Sequence, residues 1–383
     1  ALGRSMEHKQ QKGRATLRDV ARWAKVSVMT VSNVVNQRDN QVSDQVRQRV
    51  LKGIAELDYR PHVQARSLRL SRHYSIGLIF VHPDRRFLND PFNTEVAAGM
   101  SNHTSSAGYG LLVIGAQDIT ELRGKIDRFS DLDAVAVQSY GDRAQRRAVY
   151  AEVSKLGLPM MLIGDDLTDD LTDVSYITQH NESGAAQLTR EVLGFGARSL
   201  LFVKPDHVWS AITRRERGVM AAADGVASVE TLSCSEVDFA AIVARLTDRL
   251  RRSPAIDAII GSNDMFGIAG MQAVAAVGRV VARDIIVTGF NGFPFREFSQ
   301  PLLTSVRSRS YDIGVLSAQR LIARVDAGAF TTAGETLDVT LLPGDSTPPF
   351  AQSRPPAPSR PPAEGDSGDG GDRRRPRALR ERH

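Results

Sequence analysis

The stretch TLRDVARWAKVSVMTVSNVVN, Thr16–Asn36, carries two short helical patterns separated by a tight turn. Thr16 can cap the free amides of the first helix, and Asp19, three residues on, complements them. Leu17, Val20, Ala21 and Ala24 then form an apolar stripe at helical spacing. Lys25-Val26-Ser27 makes the turn, with Ser27 as the next cap. On the second helix Val31, Val34 and Val35 face inward, which leaves Val28, Met29, Ser32, Asn33 and Asn36 pointing outward. A third helix follows, capped by Ser43, with Val46, Val50, Leu51, Ile54 and Leu57 as its apolar positions. Helix, tight turn, second helix with a small polar face and a bracing helix describe a helix-turn-helix DNA reader. In the major groove Asn33 can pair with base edges, and Val28 or Met29 can meet a thymine methyl. Thr30 and Ser32 suit phosphate, which positions a protein without specifying sequence. The candidate DNA contacts of this head are thus Thr16, Ser27, Val28, Met29, Thr30, Ser32, Asn33 and Asn36. On pattern alone, a three-helix interaction module with a solvated polar face fits equally well.

Charge decides between the two. The chain of 383 residues carries 49 Lys and Arg against 44 Asp and Glu, a net of +5. Residues 1–72 hold 15 basic and 6 acidic side chains, a net of +9, whereas residues 73–344 hold 26 against 32, a net of −6. A basic head on a mildly acidic body points to a polyanion contact confined to the N-terminal part. The length suggests two or three domains. With 42% hydrophobic and 24% charged residues, most of the chain can bury a core. The one cysteine, Cys234, excludes an internal disulfide and a cysteine-rich metal site. No apolar run approaches the ~18–20 residues of a membrane span. Ala1–Arg14 has no apolar core of a secretory signal, Met6 is a candidate natural start, and the expected compartment is the cytoplasm, at the nucleoid.

From Ser75 onward, apolar runs of strand length alternate with helix-length stretches. Ile76–Val81, Gly110–Ile114, Ala134–Val137, Met160–Ile163, Leu200–Val203, Ala258–Ile260 and Ile285–Thr288 read as buried strands. Glu182–Leu193, Phe239–Leu250 and Met265–Val277 read as amphipathic helices between them. This alternation argues for parallel sheets covered by helices, in two doubly wound subdomains rather than one large sheet. Ligands of such sheets bind at the carboxyl ends of the strands. There, Arg215 as donor, Asp264 as acceptor, Asn263 and Asn291 as both, and Phe92 and Phe290 as flat faces would suit a sugar or similar polyol. Read singly, Asn263-Asp264 is equally a helix cap, Arg215 a solvated arginine, and Phe290 core. Beyond Pro343 the paired prolines, the Gly365–Gly371 stretch and Arg373-Arg374-Arg375 form a low-complexity tail that cannot bury a core.

Thr16–Arg22, Val26–Asn36, Arg49-Val50-Leu51 and Leu57–Pro61 together resemble the head of the lactose-repressor/galactose-repressor (LacI/GalR) family. Ala65-Arg66-Ser67-Leu68 is similar to that family's hinge helix. The resemblance implies that Leu68 wedges between base steps in the minor groove, with Ala65 and Arg66 beside it, kinking the operator. It continues through Ser75–Ile79, Asp90-Pro91-Phe92-Asn93, Leu193–Gly196, Arg215-Glu216-Arg217-Gly218, Gly261–Asp264, Val287–Asn291 and Pro301–Val306. These imply an effector cleft between two subdomains resembling periplasmic sugar-binding proteins, with Asn93 joining the residues above. Three positions depart from the family: Asn291 replaces a common Asp, His180-Asn181 replaces Asp-Asn, and Lys25 replaces the glycine of the helix turn.

Enzyme motifs are missing. Gly194-Phe195-Gly196-Ala197-Arg198-Ser199 lacks the third glycine of a dinucleotide loop, and there is no Walker loop and no Gly-x-Ser-x-Gly elbow. The eight histidines have no metal-ligand spacing, and Cys234 has no histidine beside it in sequence. The expectation is a non-enzymatic protein without cofactor or metal, and not a membrane protein. Its domains are a flexible segment 1–15, a head 16–60, a hinge 61–73, an effector and dimerisation domain 74–344, and a disordered tail 345–383. The expected partners are a palindromic DNA operator, a sugar-like effector and a second copy, as a homodimer or a tetramer. The function so read is repression of carbohydrate uptake and use. The alternatives are a carbohydrate receptor without a DNA role, and an activator or dual regulator.

Overall fold

The computed structural model describes residues 15–35, 42–59, 72–126 and 131–348. Three helices build the head: α1 (Leu17–Ala24), α2 (Val28–Val35) and α3 (Asp44–Glu56). α1 opens on a capping box in which the Thr16 amide donates to Asp19 Oδ2 at 2.9 Å and the Asp19 amide donates to Thr16 Oγ1 at 3.3 Å. It stops at Lys25, which takes the left-handed conformation with φ of 53°. Ser27 Oγ then accepts the Thr30 amide at 3.0 Å at the start of α2. Ser43 precedes α3, but its side chain makes no capping bond. Val20, Ala24, Val31 and Val50 are closed off from solvent at the centre of the head. Leu51, assigned to the apolar face from its spacing, is instead exposed, because α3 buries only one narrow stripe centred on Val50 and Gly53.

The body has two lobes. In the first, β1 (Ser75–Val81), β2 (Gly110–Ala116), β3 (Ala134–Ser139), β4 (Met160–Ile163), β5 (Val174–Gln179) and β11 (Gly334–Leu337) form one parallel sheet. Its order is β2-β1-β3-β4-β5-β11. Helices α4 (Pro91–Ser106) and α11 (Ser310–Ala327) cover one face; α5 (Ile119–Ile126) and α6 (Arg143–Ser154) cover the other. Strands buried on both faces need the continuous apolar runs seen in Ile76–Val81 and Ala134–Val137. In the second lobe, β6 (Ser199–Pro205), β7 (Ser228–Cys234), β8 (Ala258–Gly261) and β9 (Ile286–Thr288) pair in the parallel order β7-β6-β8-β9. Helices α7 (Asn181–Gly194) and α8 (Ser210–Ala223) pack on one face, and α9 (Phe239–Arg252) and α10 (Asp264–Ala276) on the other. β10 (Ser305–Arg307) and β12 (Thr340–Leu342) form a small antiparallel pair beside them.

The chain passes between the lobes three times, at residues 179–181, 307–310 and 337–340. Buried Gln179 ties two of these passes together: its Oε1 accepts from Ser308 Oγ at 2.9 Å and from the Arg309 amide at 3.1 Å. The His180 amide donates to Leu337 O at 2.9 Å and joins the third. The packed body also runs past residue 344, where composition placed the start of the tail. Ser346 is fully buried, its hydroxyl donating to Val287 O at 2.5 Å and accepting the Thr304 amide at 2.8 Å, and Thr347 Oγ1 lies 2.9 Å from Thr304 Oγ1.

Candidate functional site

The sheet order reverses between β1 and β3 in one lobe and between β6 and β8 in the other, the positions where parallel sheets leave a crevice. The strand-end loops of both lobes meet over a cleft with two adjoining chambers, of about 450 Å³ and about 80 Å³. Asp90, Trp209, Glu236, Asn263 and Asn291 line both.

Arg215 of α8 is the fixed point of the smaller chamber. Its Nε donates to Asn181 Oδ1 at 2.9 Å, Nη1 to Ser262 O at 2.6 Å and Nη2 to Asn291 Oδ1 at 2.8 Å. The guanidinium carbon sits 3.7 Å above the centre of the Phe290 ring. Burial pulls its pKa down to about 9 against the pull of Asp264, Asp90 and Glu236. Asp264 is wholly buried at the start of α10, accepting from the Phe293 amide at 2.7 Å and from Ser305 Oγ. Burial raises its pKa to about 6 even so. Asn263 both caps α10, accepting the Phe266 amide at 3.0 Å, and donates to Glu236 at 2.8 Å, so one side chain ends the helix and lines the cleft.

Five of the seven residues expected at the effector site line this cleft: Phe92, Arg215, Asn263, Asp264 and Asn291. Two do not. Phe290 is core, and reaches the cleft only through the guanidinium it supports. Asn93 is fully buried and turns away from Phe92, since consecutive helical residues diverge by about 100°. Its Nδ2 donates to Phe87 O at 2.8 Å beneath the short turn Phe87–Asn89. Sequence reasoning missed Gln138, Trp209 and Glu236 as lining residues, and named Asp90 only as part of the effector loop. Asp90 is the N-cap of α4, with the Phe92 amide donating to it at 2.9 Å. Gln138 and Glu236 follow the strand-end rule, Gln138 at the end of β3 and Glu236 just past β7. Trp209 projects from the second lobe against His82 and Tyr140 of the first, with ring centres 5.2 and 6.0 Å apart. Beside it the Gly141 amide donates to Val208 O at 2.7 Å, and Arg214 pairs with Asp166 at 2.5 Å, joining the lobes across the cleft.

In the head, Thr16, Ser27, Val28 and Met29 are exposed, and Thr30 and Ser32 partly so. Val28 and Met29, 43% and 56% exposed, are apolar groups with no core to enter, as a groove-reading helix requires. Asn33 is a correction: at 8% exposure it is buried, because the short α2 is held between α1 and α3 and its inward arc takes in Val31, Asn33 and Val34. Asn36 and the hinge positions Ala65, Arg66 and Leu68 lie outside the described residues. Among the described residues no group of His, Cys, Asp and Glu could hold a metal ion, and no helix is long and apolar enough to cross a membrane.

Residues 16–62 match the family model of bacterial regulatory proteins of the lacI family, and residues 74–350 that of periplasmic binding proteins and the sugar-binding domain of the LacI family. The chain is 29% identical to the ribose operon repressor of Halalkalibacterium halodurans, over 87% of its own length and 97% of that protein's. It is 28% identical to the transcriptional regulator CelR of Thermobifida fusca, over 82% and 93%. Among solved structures, the lac repressor dimer bound to operator and an anti-inducer superposes with a TM-score of 0.73 at 21% identity, covering 88% of this chain and 99% of that one. With a head and a body that each match, the chain belongs to the lacI family of bacterial transcriptional regulators, DNA-binding proteins whose response is set by a small ligand.

Proposed function

We propose that the protein is a homodimeric, non-enzymatic repressor of carbohydrate uptake and use genes, acting in the cytoplasm, with its effector held in the cleft between the lobes. The observation that carries this reading is Arg215, buried in the cleft wall and hydrogen-bonded to Asn181 on one interlobe pass and to Asn291 at the end of β9. Asn181 also accepts from Gln179 Nε2 at 3.3 Å, and Gln179 holds Ser308 and Arg309. A ligand that moves the guanidinium therefore acts directly on the passes that set the angle between the lobes. Two relatives support a sugar as that ligand, the ribose operon repressor and the CelR–cellobiose complex, the latter superposing with a TM-score of 0.63. A dimer follows from the head, since one helix-turn-helix reads one half-site and a palindromic operator mirrors a two-fold protein. Such coupling between effector and operator is typically about 1–3 kcal/mol and is reciprocal.

The test is operator binding by the full chain, with and without a panel of sugars. Wild-type protein should change its operator affinity about 5- to 150-fold with the matching sugar. Arg215→Ala should bind operator yet lose that change. A variant that responds as wild type does would remove Arg215, and the cleft with it, from the mechanism.

A further inference from the structure

The charges around the cleft do not balance. Asp90, Glu236 and Asp264 face the guanidinium of Arg215, with Arg296 as a second cation beside Asp264, while a further lining carboxylate, Asp165, is paired with Arg146 at 2.6 Å. At the rim, Arg85 is paired with Glu121 at 3.7 Å and Arg86 with Asp84 at 3.5 Å. Burial holds His82 below its ordinary pKa, so it supplies no cation at neutral pH. Arg215 already donates from each of its nitrogens to protein oxygens, and Asp264 already accepts at both of its own. Asp90 and Glu236 are left in surplus. Among the described residues each uses one oxygen, Asp90 for the Phe92 amide and Glu236 for Asn263, and no partner takes the other.

A third acceptor sits with them. Gln138, at the end of β3, is 9% exposed, and its Oε1 is buried with no hydrogen-bond partner among the described residues. Gln138, Asp90 and Glu236 all line the small chamber of about 80 Å³. A buried acceptor without a donor is unfavourable, and two half-buried carboxylates that repel each other without a cation between them add to that. A neutral hydroxyl would satisfy an acceptor but leave both charges uncompensated. An anionic group would add a third charge. An ammonium offers three donors and one positive charge, and so answers all three acceptors at once.

We propose that the effector carries a protonated amine, of the amino-sugar class, seated in the small chamber between Asp90, Glu236 and Gln138. The larger chamber, walled by Trp209 and Phe293, takes the ring. Burial and the charge of Asp90 hold Glu236 at about 7, and burial holds Asp90 at about 6, well above ordinary carboxyls; a cation seated between them would draw both into the charged form. The inference rests on the cleft being the effector site.

The test uses Trp209 as reporter in the full chain carrying Trp23→Phe, which leaves a single tryptophan. Glucosamine, galactosamine and mannosamine are titrated against their parent hexoses and uronates, with ribose and cellobiose as further neutral sugars; operator affinity is read in parallel. One of the amines should bind at least tenfold tighter than its hexose and tighter still than its uronate. That preference should shrink towards unity in Glu236→Gln and in Asp90→Asn, which keep the shape and the capping atom. A neutral or acidic sugar that binds tightest and shifts operator affinity would overturn the inference while leaving the cleft as effector site. A preference unmoved by both substitutions would also overturn it. If no sugar of any class changes either signal, the inference and the sugar reading of the cleft fall together.

Discussion

Lys25 shows what a single residue can hide. It stands in the left-handed conformation between α1 and α2, and a side chain there costs about 1–2 kcal/mol. Glycine would remove that strain but lose more freedom on folding, about 0.5–1 kcal/mol. Lys25→Gly should therefore stabilise the head by a net of up to about 1 kcal/mol, read as a higher melting temperature of the full chain with operator binding retained. A lower melting temperature would show that the lysine side chain makes up for its own strain. Asn33 marks the limit of reading residues in isolation. Its spacing set it outward, but spacing cannot say that α2 is gripped on two sides. Arg215 was legible only through the resemblance of Arg215-Glu216-Arg217-Gly218, since taken singly it reads as a solvated arginine. What its neighbours in sequence could not show is its burial, where Asn181, Ser262 and Asn291 supply acceptors from three separate strand ends.

At the scale of elements, the strands β1, β3, β4, β6 and β8 could be read directly, since burial on both faces leaves an unbroken apolar run at the heart of each. β5 and β7 could not. β5 carries buried polar Ser175 near its start and ends in buried Thr178 and Gln179 where it runs into an interlobe pass, and β7 lies at a sheet edge with most of its residues only half covered. With β7 unread, the loop that carries Glu236 had no strand to end, and one of the cleft's carboxylates was missed with it. Helix packing was equally invisible. α4 and α11 touch backbone to backbone through Gly99 and Gly314, where a Cβ would stand 2.2 Å from Tyr311 O and from Val96 O respectively. Gly314→Ala must push the helices apart, and overpacking of this kind costs about 1–3 kcal/mol. Chemical denaturation should show that loss; an unchanged midpoint would mean that the two helices can slide apart freely.

For the whole molecule, Gln179 is the tie that turns two lobes and three passes into one device. Gln179→Leu removes the acceptor for Ser308 Oγ and the Arg309 amide, and leaves the buried Ser308 hydroxyl unmet at a cost of about 1–3 kcal/mol. Effector should still enter the cleft, which Gln179 does not line, but the ratio of operator affinities with and without effector should fall towards unity. A wild-type ratio in this variant would place the coupling in other contacts, such as those of Trp209 or Arg214. Thermal unfolding of the same variant separates lost coupling from lost fold.

The three passes also set the timetable of synthesis. Among the described residues, the head's core draws on residues between Ala15 and Tyr59. The first lobe's sheet waits for β11, and the second lobe waits for β12 and Ser346. At translation rates of about 5–20 residues per second, nearly 300 residues separate the two events, an interval of roughly 15–60 s. Throughout it each ribosome holds out a completed DNA reader whose sensor is unfinished, so newly made protein meets nucleic acid as an ungoverned monomer before it becomes a switch.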